Sequence, residues 1–276
     1  MDANSDESEP TGEVLLAALR ELGVAEGDVV MPHVSLRRVG IGRSGPGAAT
    51  LVEALDAAVG ADGTVLMMAG PADPFGWVNE MPEYQRIQWL RAAEAFDCRR
   101  DPCDPDIGAF AEVFRTTPGT VVSDHPEGRF AARGRHAADL VTEVPWDDYY
   151  GAGSPLERFV GRGGKVVRLG ADDDTVTLIH YAEYLADVPG KARLRRHRVV
   201  KAPIGAGSVV RTIECLDDSQ GIVAGYEGPD YFGVIVREYV AGGRAQVGRV
   251  GSADAQLFDA ADLVAFASRR IEELAS

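Results

Sequence analysis

The fold is decided by residues 28–68, which read DVVMPHVSLRRVGIGRSGPGAATLVEALDAAVGADGTVLMM. Two apolar runs, DVVMPH at 28–33 and TVLMM at 64–68, predict buried strands. Between them, apolar residues recur at helical spacing over 48–59 and predict an amphipathic helix. A strand, a helix and a second strand in this order favour parallel pairing of the two strands. The stretch therefore predicts an α/β architecture.

The pattern continues on both sides of this stretch. Thr11 can cap a helix that runs to Leu22, and KVVRL at 165–169 predicts another buried strand. Further helices are expected over 107–115, 177–185, 231–240 and 260–274. We expect an α/β fold with a mixed, largely parallel central sheet, flanking helices and inserted irregular segments.

One long segment, residues 70–106, loses all periodicity and accumulates proline, acidic and aromatic residues. Such a segment inside a compact domain is more often functional than incidental, so we expect it to form a lid or a binding wall. The acidic start of the chain, residues 1–10, predicts a disordered tail. No composition shift divides the remainder, and residues 11–276 are expected to form one domain.

Composition excludes several classes of protein. The formal net charge of −15 disfavours nucleic acid and anionic membranes as partners and favours a cationic ligand. The three cysteines, an odd number without metal-site spacing, indicate a reducing compartment. No apolar run reaches the length of a membrane helix, and no signal peptide is evident, so we expect a cytoplasmic protein without a metal.

Chemistry is most clearly indicated by TVTLIHYAE at residues 175–183. His180 and Glu183 lie three residues apart and would share one face of a helix. Histidine is suited to general base catalysis near neutral pH, and a carboxylate can fix its tautomer. From the pattern alone, a structural histidine at a helix start is an equally open interpretation.

Other motifs are less specific. The segment at residues 40–45 matches G-x-G-x-x-G, but the tight turn and the following acid of a dinucleotide site are missing, so a flexible turn is the better interpretation. Backbone amides around Ser35 can still hold a phosphate or pantetheine group. His125 precedes a proline and is expected to stabilise a turn, whereas His33 at a strand end can line a site or pack.

Several segments together resemble the aminoglycoside 3-N-acetyltransferase family, and the resemblance spans roughly residues 11–275. The matching segments in chain order are HVSLRRVG (33–40), GTVLMM (63–68), GAFAEVFRTTPGTVVSDHPEGRFAARG (108–134), GSPLERFVGRGGKVVRLG (153–170), TVTLIHYAEYLADVP (175–189) and IECLDDSQGI (213–222). This sequence departs from the family pattern at Val34, where a small polar residue is usual, and at Arg129, where serine is frequent.

The resemblance implies direct transfer of an acetyl group from acetyl-coenzyme A to the 3-amino group of an aminoglycoside, and hence antibiotic resistance. It identifies His180 as the general base, and Glu183 and Asp217 as acids that orient it or bind substrate amines. The residues implied in coenzyme binding are Ser35, Leu36, Arg37, Val39, Gly40, Ser123 and Thr175. In the irregular segment, Asp73 and Glu80 are candidate partners for the ammonium groups of the substrate.

Three other functions stay open. An acyltransferase could act on a different amine, or the chain could bind a cationic small molecule without catalysis. The third, a nucleotide-dependent oxidoreductase, would require the G-x-G-x-x-G segment to be a dinucleotide site, and it is disfavoured for the same reasons as that site. Nothing in the sequence distinguishes a monomer from a homodimer.

Overall fold

The protein is represented by a computed structural model that describes residues 9–42, 47–202, 207–217 and 221–276. Most of the expected acidic tail, residues 1–8, lies outside the described residues, as does the second half of the G-x-G-x-x-G segment. Within the described ranges, no helix combines the length and apolarity required to cross a membrane.

A seven-stranded sheet with the order β3-β4-β2-β1-β5-β9-β8 forms the centre of the molecule, and a separate hairpin is formed by β6 and β7. The strands are β1 (Val29–Val34), β2 (Thr64–Met68), β3 (Val121–Val122), β4 (Phe130–Gly134), β5 (Lys165–Leu169), β6 (Arg193–Lys201), β7 (Ser208–Leu216), β8 (Gln246–Val250) and β9 (Ala253–Asp259).

Parallel pairing is confined to the middle of the sheet, where β1 pairs with β2 and with β5. The pairings of β4 with β2 and β3, and of β9 with β5 and β8, are antiparallel. The mixed α/β architecture is confirmed, but fewer of the strand pairs in the central sheet are parallel than expected. The outer strands include the β8–β9 hairpin, whose short connection requires an antiparallel pair.

Helices cover both faces of this sheet. They are α1 (Gly12–Glu21), α2 (Leu36–Val39), α3 (Gly47–Val59), α4 (Glu83–Leu90), α5 (Ala109–Thr116), α6 (Ala137–Val141), α7 (Pro155–Gly161), α8 (Leu178–Leu185), α9 (Tyr231–Ala241) and α10 (Ala260–Leu274). The expected cap of α1 is confirmed, since the Thr11 hydroxyl accepts a hydrogen bond from the Val14 amide over 3.4 Å.

Strand residues alternate between two apolar cores. In β1, Val30 packs into the core under α1, α3 and α5, whereas Met31 packs into the core under α7 to α10. In β5, Val167 packs into the same core as Val30, and Val166 packs into the same core as Met31. Both faces of the central strands are therefore buried, which explains why their sequences are continuous apolar runs.

The segment between β2 and α5 is more ordered than its sequence indicated. It contains a 3₁₀ turn at Gly76–Glu80 and the helix α4. The expectation of an entirely irregular segment was therefore wrong. The exposed aromatic residues of α4 obscure its helical period, since Tyr84 is 80% and Trp89 is 42% exposed.

The return of this segment to the sheet is fixed by a buried arginine. The Arg129 side chain is fully buried in the structure and donates hydrogen bonds to the carbonyl oxygens of Ala69 (2.5 Å), Cys98 (3.2 Å) and Asp101 (2.6 Å). Arg115 donates to the neighbouring Arg99 carbonyl over 2.7 Å. Two guanidinium groups of the core thus hold the same turn of the segment.

Candidate active site

A cavity of about 600 Å³ opens where β1, β2 and β5 end. Ligands of open α/β sheets bind at this edge, beyond the carboxyl ends of parallel strands. We call it the main cavity, and its lining residues are Pro32, His33, Val34, Ser35, Leu36, Arg37, Arg38, Met67, Met68, Asp106, Ile107, Gly108, Ala109, Ala171, Asp172, Asp174, Thr175, Thr177, His180 and Phe232.

The turn that leaves β5 requires a glycine. Gly170 has a φ of 63°, and a Cβ added there would come within 2.8 Å of Arg38 Cβ. Arg38 in turn donates a hydrogen bond from Nη1 to the Gly170 carbonyl over 2.6 Å and pairs with Asp172 at 2.7 Å. These contacts join the loop after β1 to the loop after β5, and both loops line the main cavity.

Helix α8 brings His180 into this cavity. At the start of this helix, Thr177 occupies the N-cap position without a side-chain hydrogen bond. Thr175 instead closes the preceding 3₁₀ turn, since its hydroxyl donates to the Asp172 carbonyl over 2.8 Å. The buried residues Leu178 and Ile179 attach the helix to the core.

His180 and Glu183 are in direct contact. Nδ1 of His180 lies 2.9 Å from Oε2 of Glu183, whose side chain is 2% exposed, whereas the His180 side chain is 22% exposed. Because Glu183 engages Nδ1, Nε2 is the ring nitrogen with which His180 can accept a proton from a ligand. The pairing that general base catalysis requires is thus present in the structure.

The second oxygen of the carboxylate is also held. The Tyr231 hydroxyl donates to Oε1 of Glu183 and accepts a hydrogen bond from the Ile222 amide over 3.0 Å. Burial and the neighbouring carboxylate raise the pKa of Tyr231 above its usual range, so the phenol remains a donor. Lys191 secures the end of α8, since Nζ donates to the Glu183 carbonyl over 2.7 Å.

Two aromatic rings restrict the imidazole. The ring of Tyr150 stacks on that of His180, and the ring of Phe232 meets it edge to face with centroids 4.8 Å apart. Rotation of the His180 side chain is therefore opposed by packing as well as by the Glu183 hydrogen bond.

The residues expected to bind the coenzyme divide into two groups. Four of them line the main cavity: Ser35, Leu36, Arg37 and Thr175. The other three, Val39, Gly40 and Ser123, do not appear in its lining. Val39 is fully buried, and Gly40 ends α2 with a φ of 88°. The Ser123 hydroxyl accepts a hydrogen bond from the Phe130 amide over 2.8 Å.

The acids expected to bind the substrate are placed differently from Glu183. Asp73 forms an ion pair with Arg198 at 3.1 Å and lines a separate cavity beside β6. Glu80 is exposed at the end of its 3₁₀ turn. Asp217 follows β7, where its amide donates to the Ala192 carbonyl over 2.9 Å, and none of the three lines the main cavity.

Sequence reasoning missed two of the acids that do line the main cavity, Asp106 and Asp174. Both lie near the sheet edge, Asp106 before α5 and Asp174 after β5. In an α/β pattern, an acid that follows a strand or precedes a helix is a candidate for the binding site, so the sequence positions of Asp106 and Asp174 could have identified them.

Two other histidines, His33 and His125, are buried. His125 stabilises a turn: Nδ1 accepts a hydrogen bond from the Gly128 amide over 2.8 Å, and Nε2 lies 3.0 Å from the Trp146 carbonyl. His33 lines the main cavity. Burial, together with the positive charge of Arg168, lowers the pKa of His33 to about 4, and burial lowers the pKa of His125 to about 4.

In the part of the chain that the structure describes, no group of three or more histidine, cysteine or acidic residues is arranged to hold a metal ion. The three cysteines are free thiols. None of them belongs to the described lining of the main cavity, and burial raises the pKa of Cys103 to about 11.

The chain is similar to known proteins over nearly its whole length. A family model described as aminoglycoside 3-N-acetyltransferase matches residues 31–272. Aminoglycoside N(3)-acetyltransferase VIII of Streptomyces fradiae is 38% identical over 266 residues, which are 94% of this chain and 90% of the relative. Aminoglycoside N(3)-acetyltransferase III of Serratia marcescens is also 38% identical, over 95% of this chain and 97% of its own.

Solved structures agree with these similarities. A structure of AAC-IIIb in a binary complex with CoASH matches with a TM-score of 0.89 and 38% identity, over 96% of this chain and 97% of that one. A structure of AAC-VIa bound to sisomicin matches with a TM-score of 0.86 and 38% identity, over 96% and 98% of the two chains.

Proposed function

The chain belongs to the aminoglycoside 3-N-acetyltransferase family, an acyltransferase family, and from this premise we propose its reaction and mechanism. It transfers the acetyl group of acetyl-coenzyme A to the 3-amino group of an aminoglycoside, within a ternary complex and with His180 as general base. The observation that carries this proposal is the His180–Glu183 contact at the wall of the main cavity.

In the proposed reaction, the neutral amine of the drug attacks the thioester carbonyl while Nε2 of His180 accepts its proton. The buried carboxylate of Glu183 stabilises the imidazolium that forms, because opposite charges in contact favour the charged form of the ring. The carbon–sulfur bond then breaks, and the coenzyme thiolate leaves and takes up a proton. Holding both substrates in one cavity lowers the barrier by removing the entropy cost of their encounter.

Direct transfer is favoured over a thioacyl-enzyme. In the described lining of the main cavity no cysteine is present, and the pKa of Cys103 is raised to about 11 where that thiol is buried. A thiol with so high a pKa is not a nucleophile at neutral pH. The drug amine is therefore the group that we propose to attack the thioester.

For the coenzyme, we propose contacts with Ser35, Leu36, Arg37 and Thr175, all of which line the main cavity. The complex of AAC-IIIb with CoASH supports a coenzyme site in this fold. We propose that Val39, Gly40 and Ser123 support coenzyme binding indirectly, by fixing the backbone around this site.

For the drug, we propose that the carboxylates of Asp106, Asp172 and Asp174 attract its ammonium groups to the cavity. The sisomicin complex of AAC-VIa supports a polycationic ligand. Asp73, Glu80 and Asp217 lie outside the lining, so we propose that they contribute to the negative field of the molecule, whose formal net charge is −15.

Acetylation removes one positive charge from the drug, and we propose that this modification confers antibiotic resistance. We propose that the reaction takes place in the cytoplasm, with acetyl-coenzyme A as the cosubstrate. Residues 11–276 are proposed to form the catalytic domain. The proposed reaction needs only one copy of the chain.

The test is release of coenzyme A during incubation with acetyl-coenzyme A and a panel of aminoglycosides, with polyamines such as spermidine as other acceptors. We expect turnover with aminoglycosides and a loss of about 10²-fold or more in kcat for His180→Ala. His136→Gln is the matched control, because His136 lies at the N-cap position of α6, makes no side-chain capping hydrogen bond and does not line the main cavity. Equal rates for wild type and His180→Ala would refute the general base, and turnover only with polyamines would refute the acceptor.

A further inference from the structure

The separate cavity beside β6, which we call the second cavity, has a volume of about 620 Å³. Its described lining comes from two pieces of the chain, the segment between β2 and α5 and the strand β6, and it shares no residue with the lining of the main cavity. A cavity of this size is typical of small-molecule sites. Its apolar walls are formed by Pro74, Phe75, Leu90, Ala93, Phe96 and Val199.

The two walls of the second cavity are fixed to each other by hydrogen bonds. The Phe96 amide donates to the Val199 carbonyl over 2.8 Å, and the His197 amide donates to Oδ1 of Asn79 over 2.7 Å. Apolar packing between the walls is thin by comparison with the two cores of the sheet. The buried cluster described there consists of Val78, Leu90 and Val199. Because protein interiors are normally packed without large voids, a space held open between fixed walls indicates a preformed ligand site.

One buried charged side chain lines this cavity and keeps unused donors. Arg198 is 7% exposed, and its ion pairs with Glu127 at 2.8 Å and with Asp73 at 3.1 Å both run through Nη1. Among the described residues, Nε and Nη2 of Arg198 find no hydrogen-bond acceptor. Neither nitrogen is among the fully buried unpaired atoms of the described chain, so both retain contact with open space. Two donors are therefore available to an acceptor in the cavity.

The charges of the lining favour an uncharged ligand. Each of the three acids in the described lining is paired with an arginine at 3.1 Å: Asp73 with Arg198, and both Glu94 and Asp101 with Arg100. A cationic ligand would therefore meet carboxylates whose charge is already balanced. An anionic ligand gains little as well, because the charge of Arg198 is balanced by its two carboxylate partners.

We propose that the second cavity binds an uncharged, mainly apolar small molecule through a carbonyl oxygen that accepts hydrogen bonds from Nε and Nη2 of Arg198. A carbonyl oxygen has two lone pairs and can accept from both nitrogens of the planar guanidinium. The apolar walls hold the body of the molecule by removing its surface from water. This site is separate from the cavity that contains His180, so the inference does not depend on the proposed acetyl transfer.

The experiment uses prodan, an uncharged fluorophore with a naphthalene body and one ketone oxygen, whose emission shifts to the blue in apolar surroundings. We expect saturable binding of one prodan molecule per chain. Coenzyme A should not displace the probe, because the two cavities share no lining residue. Displacement by coenzyme A, or the absence of saturable binding, would overturn the inference.

Arg198→Met tests the hydrogen bonds and should weaken prodan binding by about tenfold. Asp73→Asn is the matched control, because it removes an ion pair of Arg198 but leaves the two donors in place, and its Kd should stay within about threefold of wild type. A prodan analogue whose ketone is replaced by a methylene group should bind wild type and Arg198→Met equally. Equal weakening of prodan binding in Arg198→Met and Asp73→Asn would overturn the role of the donors.

A second variant tests the location without changing any charge. Ala93 is half-buried and lines the cavity, so the indole of Ala93→Trp would occupy the space of the probe and weaken prodan binding by about tenfold or more. Ala138→Trp, at an exposed position of α6, is the matched control and should bind prodan as wild type does. Circular dichroism checks that both variants are folded. Undiminished affinity in Ala93→Trp would place the probe elsewhere and overturn the inference.

Discussion

The imidazole of His180 lies parallel to the phenol ring of Tyr150, with ring centroids 5.0 Å apart and an interplanar angle of 10°. Because this stacking restricts the ring, we expect Tyr150→Leu to lower kcat by about tenfold through misplacement of the base. Tyr150→Phe, which keeps the ring, should stay within about threefold of wild type. Steady-state kinetics with saturating acetyl-coenzyme A measure both, and equal losses in the two variants would show that stacking is not the cause.

The carboxylate of Glu183 is expected to act through its charge. Glu183→Gln keeps the shape of the side chain but removes the negative charge that stabilises the imidazolium, so kcat should fall by about 10²-fold. Tyr231→Phe keeps the charge but removes the hydrogen bond to Oε1 and the acceptor of the Ile222 amide, and kcat should fall by about tenfold. Single-turnover rates separate this chemical step from product release, and full activity in Glu183→Gln would exclude a role for the charge.

Stability should depend on pH through His125. Its pKa in the folded protein is about 4, below the ordinary value of 6.5, so between these values the unfolded state binds more protons. The free energy of unfolding should therefore fall as the pH is lowered from about 6.5 to about 4, by about 1–3 kcal/mol from this residue.

Urea unfolding at a series of pH values measures this dependence. His125→Gln removes the titrating group, so we expect lower stability at pH 7 but a flatter slope toward acid. His33 has a similarly lowered pKa and should preserve part of the slope in that variant. A slope identical to that of wild type would show that protonation of His125 does not limit acid stability.

Arg129 is expected to be a major source of stability. Arg129→Ser removes the guanidinium that donates to the carbonyl groups of Ala69 and Asp101. Among the described side chains, only the Cys103 thiol, a weak donor at 3.7 Å, then remains on the Ala69 oxygen, so the loss should cost about 3 kcal/mol or more. Arg133, on the strand β4 that begins directly after Arg129, is paired with Asp56 nearer the surface, and Arg133→Ser should cost about 1 kcal/mol. Equal losses in urea unfolding would show that the buried hydrogen bonds add nothing beyond a surface ion pair.

The central strands could be predicted from sequence because they are buried on both faces. Residues 64–68, expected as a strand, match β2, and 165–169 match β5. The direction of the outer strands could not be derived, since pairing direction depends on where the chain returns rather than on local composition. The helix α4 was missed because its exposed aromatic residues mask the usual apolar period.

The relation between His180 and Glu183 was also within reach of the sequence, because a spacing of three residues on a helix fixes their proximity. Tyr150 and Tyr231 were not, since each reaches the base from a different element and only tertiary packing brings them there. Asp73 illustrates the opposite error: its carboxylate suggested cation binding, but Arg198 from β6 already occupies it.

The assembly of the site depends on a late part of the chain. β5 is flanked by β1 and by β9, and α8 is tied to α10, where the Ser268 hydroxyl donates to the Ala182 carbonyl over 3.3 Å. During synthesis, β5 therefore has one unpaired edge until β9 leaves the ribosome, and such an edge can recruit other chains. A nonsense mutation ahead of β9 should thus yield an aggregating fragment, and the nascent chain should gain activity only after α10 has been translated.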